Sequence, residues 1–267
     1  MVFEIDQIGL LDDEEIELDL AALALSELDH DGIDLAPYLE LLDEIEERLG
    51  EVGRDARSVE QQADALSRVI HGKFGFVGDA ASYDAPLNAD FIRVLDRRQG
   101  LPVSLSILYC AAARRLGWSA YALNIPGHVL ARIGDDPFVV IDPFHGGMAV
   151  GERELVALVR QFLGPNARFS PDFLSPVPNR STLVRLLMNQ ASRAEQGADP
   201  LRALTMYARM TQIAPGNPDG WWELARSQLQ LLDAEAARHS LSAMLEVTRD
   251  PERRKLVSAA LDAIAEK

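Results

Sequence analysis

Five side chains in this 267-residue sequence have types and spacing that could do chemistry: Ser104, Cys110, His128, Asp142 and His145. His128 stands in NIPGHVLAR and Asp142 opens DPFHGG. A carboxylate beside an imidazole fixes the ring's tautomer and raises its basicity, which is what a nucleophile's base requires. The same pair is also a common structural hydrogen bond within a sheet. Between the two residues lies Gly134-Asp135-Asp136-Pro137, a strong turn signal, so they fall on the two arms of an antiparallel hairpin. A turn centred on Asp135 sets position 128 directly opposite 142. A turn centred between Asp135 and Asp136 puts them one step out and on opposite faces. An odd-numbered loop or a bulge brings them together.

The elements that must position this pair follow from the hydrophobic period. Residues 18–28 (LDLAALALSEL) and 36–49 (APYLELLDEIEERL) carry apolar side chains at helical spacing, with Pro37 in the first turn of the second helix. Ser58 and Gln61 have capping-box spacing at the start of a third helix running to about Lys73. Residues 74–90 show no period and read as an ordered loop in which Tyr83, Asp84 and Asn88 could line a groove. Asn88 is placed to cap a helix whose apolar face is Phe91, Val94 and Leu95, with Gly100 as its stop. LPVSLSILYCAAARRLG (101–117) starts on a first-turn proline, is apolar almost all round and ends on Gly117, the pattern of a central buried helix. Cys110 lies nearly two turns inside it on the face of Val103, where burial raises a thiol's pKa, so it reads as packing. A further helix is expected at 153–163. Gly72, Gly75 and Gly78 do not form a phosphate loop, because no Gly-Lys-Ser/Thr follows.

Composition excludes several function classes. The net charge is −16, and residues 1–50 carry all of it, with 17 acids and one base; the remainder is neutral. Phosphate binding needs a basic footprint, so nucleic acid is not an expected partner. The acidic section is a solvated helical face or, on the sharper reading, a dock for a basic partner. No apolar run reaches the length of a membrane span, and the acidic N-terminus is no signal peptide. A single cysteine excludes an intramolecular disulfide and a multi-cysteine zinc site, so a cytoplasmic protein is the simplest expectation. His30, His71 and His239 show no ligand spacing, and His145 sits in a glycine-flanked loop and reads as solvated. No metal and no cofactor is therefore expected.

Residues 170–179 (SPDFLSPVPN) hold three prolines and read as a linker, giving a domain of residues 1–175 and a second of 180–267. The second is helical in pattern and repeats with a period of 34. Asp199, Ala203, Tyr207 and Met210 recur as Asp233, Ala237, Leu241 and Met244, and Ala191 as Ala225. This period resembles the tetratricopeptide repeat, and a lone pair of repeats is expected to lean on another domain or chain. Trp221 and Trp222 pack such a pair or expose an anchor for a partner.

RRQGLPVSLS (97–106), NIPGHVLAR (124–132) and IDPFHGG (141–147), in this order, resemble the transglutaminase-like core of a bacterial family known as invasion regulators. The resemblance spans roughly residues 15–250. It implies an α+β fold: a papain-like core with a central helix against an antiparallel sheet, a helical N-terminal section before it and an all-α repeat pair after it. In active transglutaminase-like enzymes a cysteine at the start of the central helix attacks an amide or ester carbonyl. By motif, His128 and Asp142 match the histidine and aspartate, while the cysteine position falls within Pro102–Ser104, where there is none. Ser104 is the only nucleophilic side chain in that window. It is either a helix-start polar residue or, with a base and an oxyanion hole, a substitute nucleophile. The expectation is a non-catalytic protein-interaction or regulatory module with a protein or peptide partner. The alternative is a cryptic serine hydrolase or acyl-transferase using Ser104, His128 and Asp142.

Overall fold

Hydrophobic period and capping chemistry place the first helices. The computed structural model describes residues 5–265, which divide into one compact unit of residues 12–183 and a second of residues 5–11 and 184–265. The one-turn helix α1 (Ile5–Ile8) belongs to the second unit. In the first unit, α2 (Leu18–Glu27) is buried along nearly its whole length, and α3 (Ala36–Val52) buries the stripe Leu42, Ile45 and Leu49. Ser58 and Gln61 form the expected reciprocal cap of α4 (Val59–Leu66). The helix then widens into π-helical turns over Ser67–Lys73.

The aperiodic stretch 74–90 is pinned by polar contacts rather than by period. Strand β1 (Val77–Gly78) lies in it, followed by a 3-10 turn at Pro86–Asn88. Asp90, not Asn88, caps α5 (Phe91–Arg97), accepting the Arg93 N–H at 3.2 Å. Asn88 is buried instead. Its amide donates to the Ser82 carbonyl at 2.7 Å, and its oxygen accepts from Arg97 at 2.8 Å. Nor does Gly100 end the helix: Arg98 takes the left-handed conformation (φ +58°), and Gly100 lies in β2 (Gln99–Gly100), parallel to β1. A side chain at Gly100 would meet the Ser104 hydroxyl at 2.6 Å, so glycine is required there by packing.

Helix α6 (Pro102–Arg115) is buried without a break from Pro102 to Ala113. At its far end Arg115 reaches Asp19 at 2.8 Å and Asp43 and Glu46 at 3.3 Å, tying α6 to α2 and α3. The sheet that packs against α6 is β3 (Ala120–Ile125), β4 (His128–Ile133), β5 (Val139–Asp142) and β6 (Met148–Ala149), antiparallel throughout in that order. The segment expected as one arm of a hairpin is thus itself a hairpin, turning at Pro126-Gly127. Helix α7 (Glu152–Leu163) sets Leu155 and Val159 against Leu123, Ile125, Leu130 and Val140 of the sheet. Residues 170–179 are not a free linker. Phe173 and Leu174 pack on that same cluster, and the Val177 N–H bonds the Ala122 carbonyl at 2.9 Å along the outer strand. Prolines exclude a regular ladder here without preventing packing.

The compact units divide inside α8 (Asn179–Gln196), whose first amides, at Asn179 and Arg180, are capped by the Asp13 carboxylate at 2.8 and 2.9 Å. The second unit continues through α9 (Pro200–Ile213), α10 (Pro218–Gln230), α11 (Ala234–Val247) and α12 (Pro251–Ala265). The 34-residue period has a structural basis: Asp199 and Asp233 each cap a helix by accepting the third amide at 3.0 Å. Ala203 and Ala237, Tyr207 and Leu241, and Met210 and Met244 are all buried. The architecture is the mixed helix and antiparallel-sheet core expected, with a helical section before it and helical repeats after it.

Asp79 is the buried acid of the 74–90 segment. It accepts from Arg97 at 2.7 Å and from the Ser82 N–H at 2.8 Å, and the Arg97 hydrogen bond chiefly holds its carboxyl below the usual range. A depressed folded-state pKa stabilises above the unfolded value of about 3.9 and is lost as pH falls through the folded value. Asp79→Asn is expected to cost about 1–2 kcal/mol at pH 7. Denaturant melts at descending pH should show that deficit shrinking below about pH 4.

Candidate functional site

The turn before β4 fixes where His128 stands. Proline sets φ at the first turn position, and Gly127 supplies the positive φ (+74°) at the second, the residue types of a type II turn. A side chain at Gly127 would also collide with the Phe162 ring at 2.0 Å. His128 therefore begins β4 at a defined point, paired with Ile125.

The β4–β5 register decides whether His128 meets Asp142. Ala131 faces Ile141 and Ile133 faces Val139, so the connection centres on Asp136. Its five residues, 134–138, make an odd-numbered loop. Positions 128 and 142 are neither directly opposite nor on opposite faces: they form a diagonal pair two residues apart on one face, within reach of long side chains. His128 Nε2 lies 2.9 Å from Asp142 Oδ2, and both side chains are buried.

Asp142 joins more than one partner. As the strand ends, Pro143–His145 forms a 3-10 turn, and Asp142 Oδ1 accepts the Phe144 and His145 N–H groups at 2.9 and 3.4 Å. The turn also brings His145 Nδ1 to 2.8 Å from Asp142 Oδ2. His145 is 61% exposed yet is not simply solvated: it is the second imidazole on one carboxylate oxygen. Gly146 and Gly147, both at positive φ, let the chain reverse, and Ser67 Oγ holds the Gly146 carbonyl at 2.6 Å. Phe144 stands edge-on to His128, His145 and Tyr83, with ring centroids 6.0, 5.2 and 5.8 Å away. Burial by itself would raise the Asp142 pKa. The hydrogen bonds and charge of His128 and then His145 outweigh it and hold the carboxyl below its ordinary value.

The nucleophile candidates are buried and otherwise engaged or packed. Ser104 is fully buried in the first turn of α6; its hydroxyl accepts the Leu101 N–H at 2.9 Å and faces the Asn88 and Leu101 carbonyls, each at 3.0 Å. These are the contacts of a helix-start residue satisfying backbone groups. Ser106, also buried, points its hydroxyl at the Val129 carbonyl at 3.4 Å. Cys110 is fully buried, and burial pushes its thiol up to about 11, with Arg114 opposing weakly. Tyr109, whose buried hydroxyl has no hydrogen-bond partner, lies against Gly147; burial and then the Asp142 charge raise its pKa. Trp221 and Trp222 are half-buried against Ala225, Leu241, Met244 and Val257, and the Trp221 indole donates to the Pro215 carbonyl at 2.8 Å.

Sequence reasoning singled out His145 but read it as solvated, and it missed Tyr109. For His145 a signal existed: an aspartate followed by proline three residues before a histidine is a turn that returns the histidine to the carboxylate. For Tyr109, nothing local distinguishes it from core packing.

Comparison with known proteins bears on these same segments. The family model described as the transglutaminase-like superfamily matches residues 36–188, and a tetratricopeptide-repeat model matches 193–260. A UPF0162 protein of Xylella fastidiosa (strain 9a5c) is 30% identical over 246 residues, covering 91% of this chain and 88% of its own length. A UPF0162 protein of Pseudomonas aeruginosa is 29% identical over 220 residues, 81% of this chain and 79% of its own. Human F-box only protein 21 is 32% identical over 110 residues, 38% of this chain and 18% of its own.

Removing the carboxylate should cost more than removing either ring. Asp142→Ala leaves buried donors unsatisfied and is expected to lower stability by about 2–4 kcal/mol. His145→Ala, at an exposed partner, is expected to cost under about 1 kcal/mol. Equilibrium denaturation of both variants beside the native chain measures this ranking.

Proposed function

We propose that this chain, which belongs to the transglutaminase-like superfamily, is a non-catalytic member acting as a protein-interaction or regulatory module. One observation carries the reading: the oriented His128–Asp142 pair has no nucleophile among the side chains weighed for that role. The Ser104 hydroxyl is engaged by backbone groups in a sealed position, and the Cys110 thiol is buried with its pKa raised. Thiolate chemistry needs an accessible sulfur in an electropositive setting, the opposite of the surroundings of Cys110. The tetratricopeptide match over 193–260 supports the interaction role, since such repeats generally bind proteins. Trp221 and Trp222 are the anchors we assign to a protein or peptide partner. Residues 1–175 and 180–267 are the working parts of this reading, the first holding the site remnant and the second the partner surface. Among the described residues no helix is long and apolar enough to cross a membrane. Together with the single buried cysteine, this supports a cytoplasmic setting.

A second reading is favoured by the 2.9 Å contact of His128 with Asp142, which is how a catalytic base is held. On it, Ser104 would leave its backbone partners and act as the nucleophile of a hydrolase or acyl-transferase. A fluorophosphonate probe on the native full-length chain separates the two. The interaction reading expects no Ser104 adduct by peptide mass spectrometry. Labelling of Ser104 that vanishes in His128→Ala would overturn it.

The partner surface has its own test. A Trp221→Ala/Trp222→Ala variant that keeps its helical circular dichroism is expected to lose the partner cross-linked by the native chain. Capture of the same partner by the variant would refute the assignment of these residues.

A further inference from the structure

A base-orienting pair needs one imidazole, and this site has two. His128 Nε2 and His145 Nδ1 both converge on Asp142 Oδ2, at 2.9 and 2.8 Å. One ligand atom from each of the three side chains lies within 4.8 Å of the other two. We infer that His128, Asp142 and His145 form a binding site for one divalent first-row transition-metal ion of the zinc class.

The donor set selects the class of ion. Two imidazole nitrogens and one carboxylate oxygen suit Zn²⁺, Fe²⁺, Co²⁺ or Ni²⁺, whereas Mg²⁺ and Ca²⁺ take oxygen ligands. Dimensions agree. Ligand bonds of about 2.0–2.1 Å in a tetrahedral arrangement separate donor atoms by roughly 3.3 Å. The two nitrogen–oxygen separations therefore need to open by about half an ångström. Both adjustments are side-chain rotations: His145 is largely exposed, and the sheet holds the backbones, not the ring and carboxylate torsions, of His128 and Asp142.

The supporting contacts are those of a built ligand set. The Phe144 and His145 amides hold Asp142 Oδ1, which leaves Oδ2 as a single-oxygen ligand aimed at both rings. The Gly147 N–H bonds the Asp142 carbonyl at 2.7 Å, and Ser67 holds the Gly146 carbonyl, so the turn carrying His145 is tied at both ends. The buried Phe144 ring packs edge-on against both imidazoles. The exposed side of His145 leaves a coordination position for water or for a partner's side chain.

Binding balances without oxidation or reduction. Without the ion, each imidazole donates an N–H to Oδ2. With it, those two nitrogens supply lone pairs, and each ring carries its proton on the other nitrogen, by exchange with solvent. Occupancy at His128 Nε2 displaces its hydrogen bond to Asp142. This inference does not rest on the interaction reading and survives whichever way the phosphonate experiment falls.

The experiment uses the untagged full-length chain, stripped with EDTA and titrated with Zn²⁺ by calorimetry and with Co²⁺ by visible absorption. One equivalent is expected to bind, with Co²⁺ bands of low-symmetry nitrogen–oxygen coordination. His145→Ala, an exposed substitution that keeps the fold, is expected to weaken Zn²⁺ at least about tenfold. His239→Ala, at an exposed histidine in the repeats, is expected to leave binding unchanged. No binding by the native chain would overturn the inference. So would undiminished affinity in His145→Ala, or loss in His239→Ala or His71→Ala in its place.

Discussion

A helix buried on every side is the constraint around which the first unit is organised. From Pro102 to Ala113 every residue of α6 is buried. Such a helix cannot be amphipathic, so the chain must supply apolar cover on all its faces. The helices before it and the antiparallel sheet after it provide that cover. Its polar side chains must then be satisfied internally, because a buried group left without a partner costs about 1–3 kcal/mol. Ser104 and Ser106 meet this demand by bonding backbone, and Arg115 meets it by gathering three carboxylates at the helix's exit, whereas the buried Tyr109 hydroxyl does not meet it. The same demand engages the Ser104 hydroxyl with the Leu101 and Asn88 backbone groups.

Asp142 plays the corresponding part in the sheet. Its carboxylate ends β5, caps the following turn through one oxygen and receives two imidazoles on the other. Four separate contacts therefore depend on one residue. Loss of solvation opposes the charge and the two histidines outweigh that loss, so the carboxylate stays ionised.

The relatives place this arrangement in context without supplying a chemistry. The UPF0162 proteins align over most of the chain, repeats included, whereas F-box only protein 21 matches 110 residues, less than a fifth of its own length. The shorter match carries over no more than the 110 residues it spans.

Local order was legible in the sequence: the helical stripes, the Ser58 cap, the proline start and glycine stop of α6, the strand-rich segments and the 34-residue repeat. All of these depend on neighbours within a few turns of chain, where capping and period act. The motifs around positions 104, 128 and 142 were legible as well, as a resemblance. Tertiary structure decided the rest. Asp90 rather than Asn88 caps α5, because Asn88 is drawn inward by Ser82 and Arg97. The proline-rich stretch packs rather than links, since Phe173 and Leu174 have a cluster to enter. The meeting of His128 with Asp142 depended on a register that a single residue would invert. The sequence left the register open between two turn centres and an odd-numbered loop, and the five-residue loop centred on Asp136 sets the pair diagonally on one face. Whether His145 faces water or Asp142 depended likewise on a turn that closes only once β5 is in place, because a side chain's partners are set by where distant backbone is held.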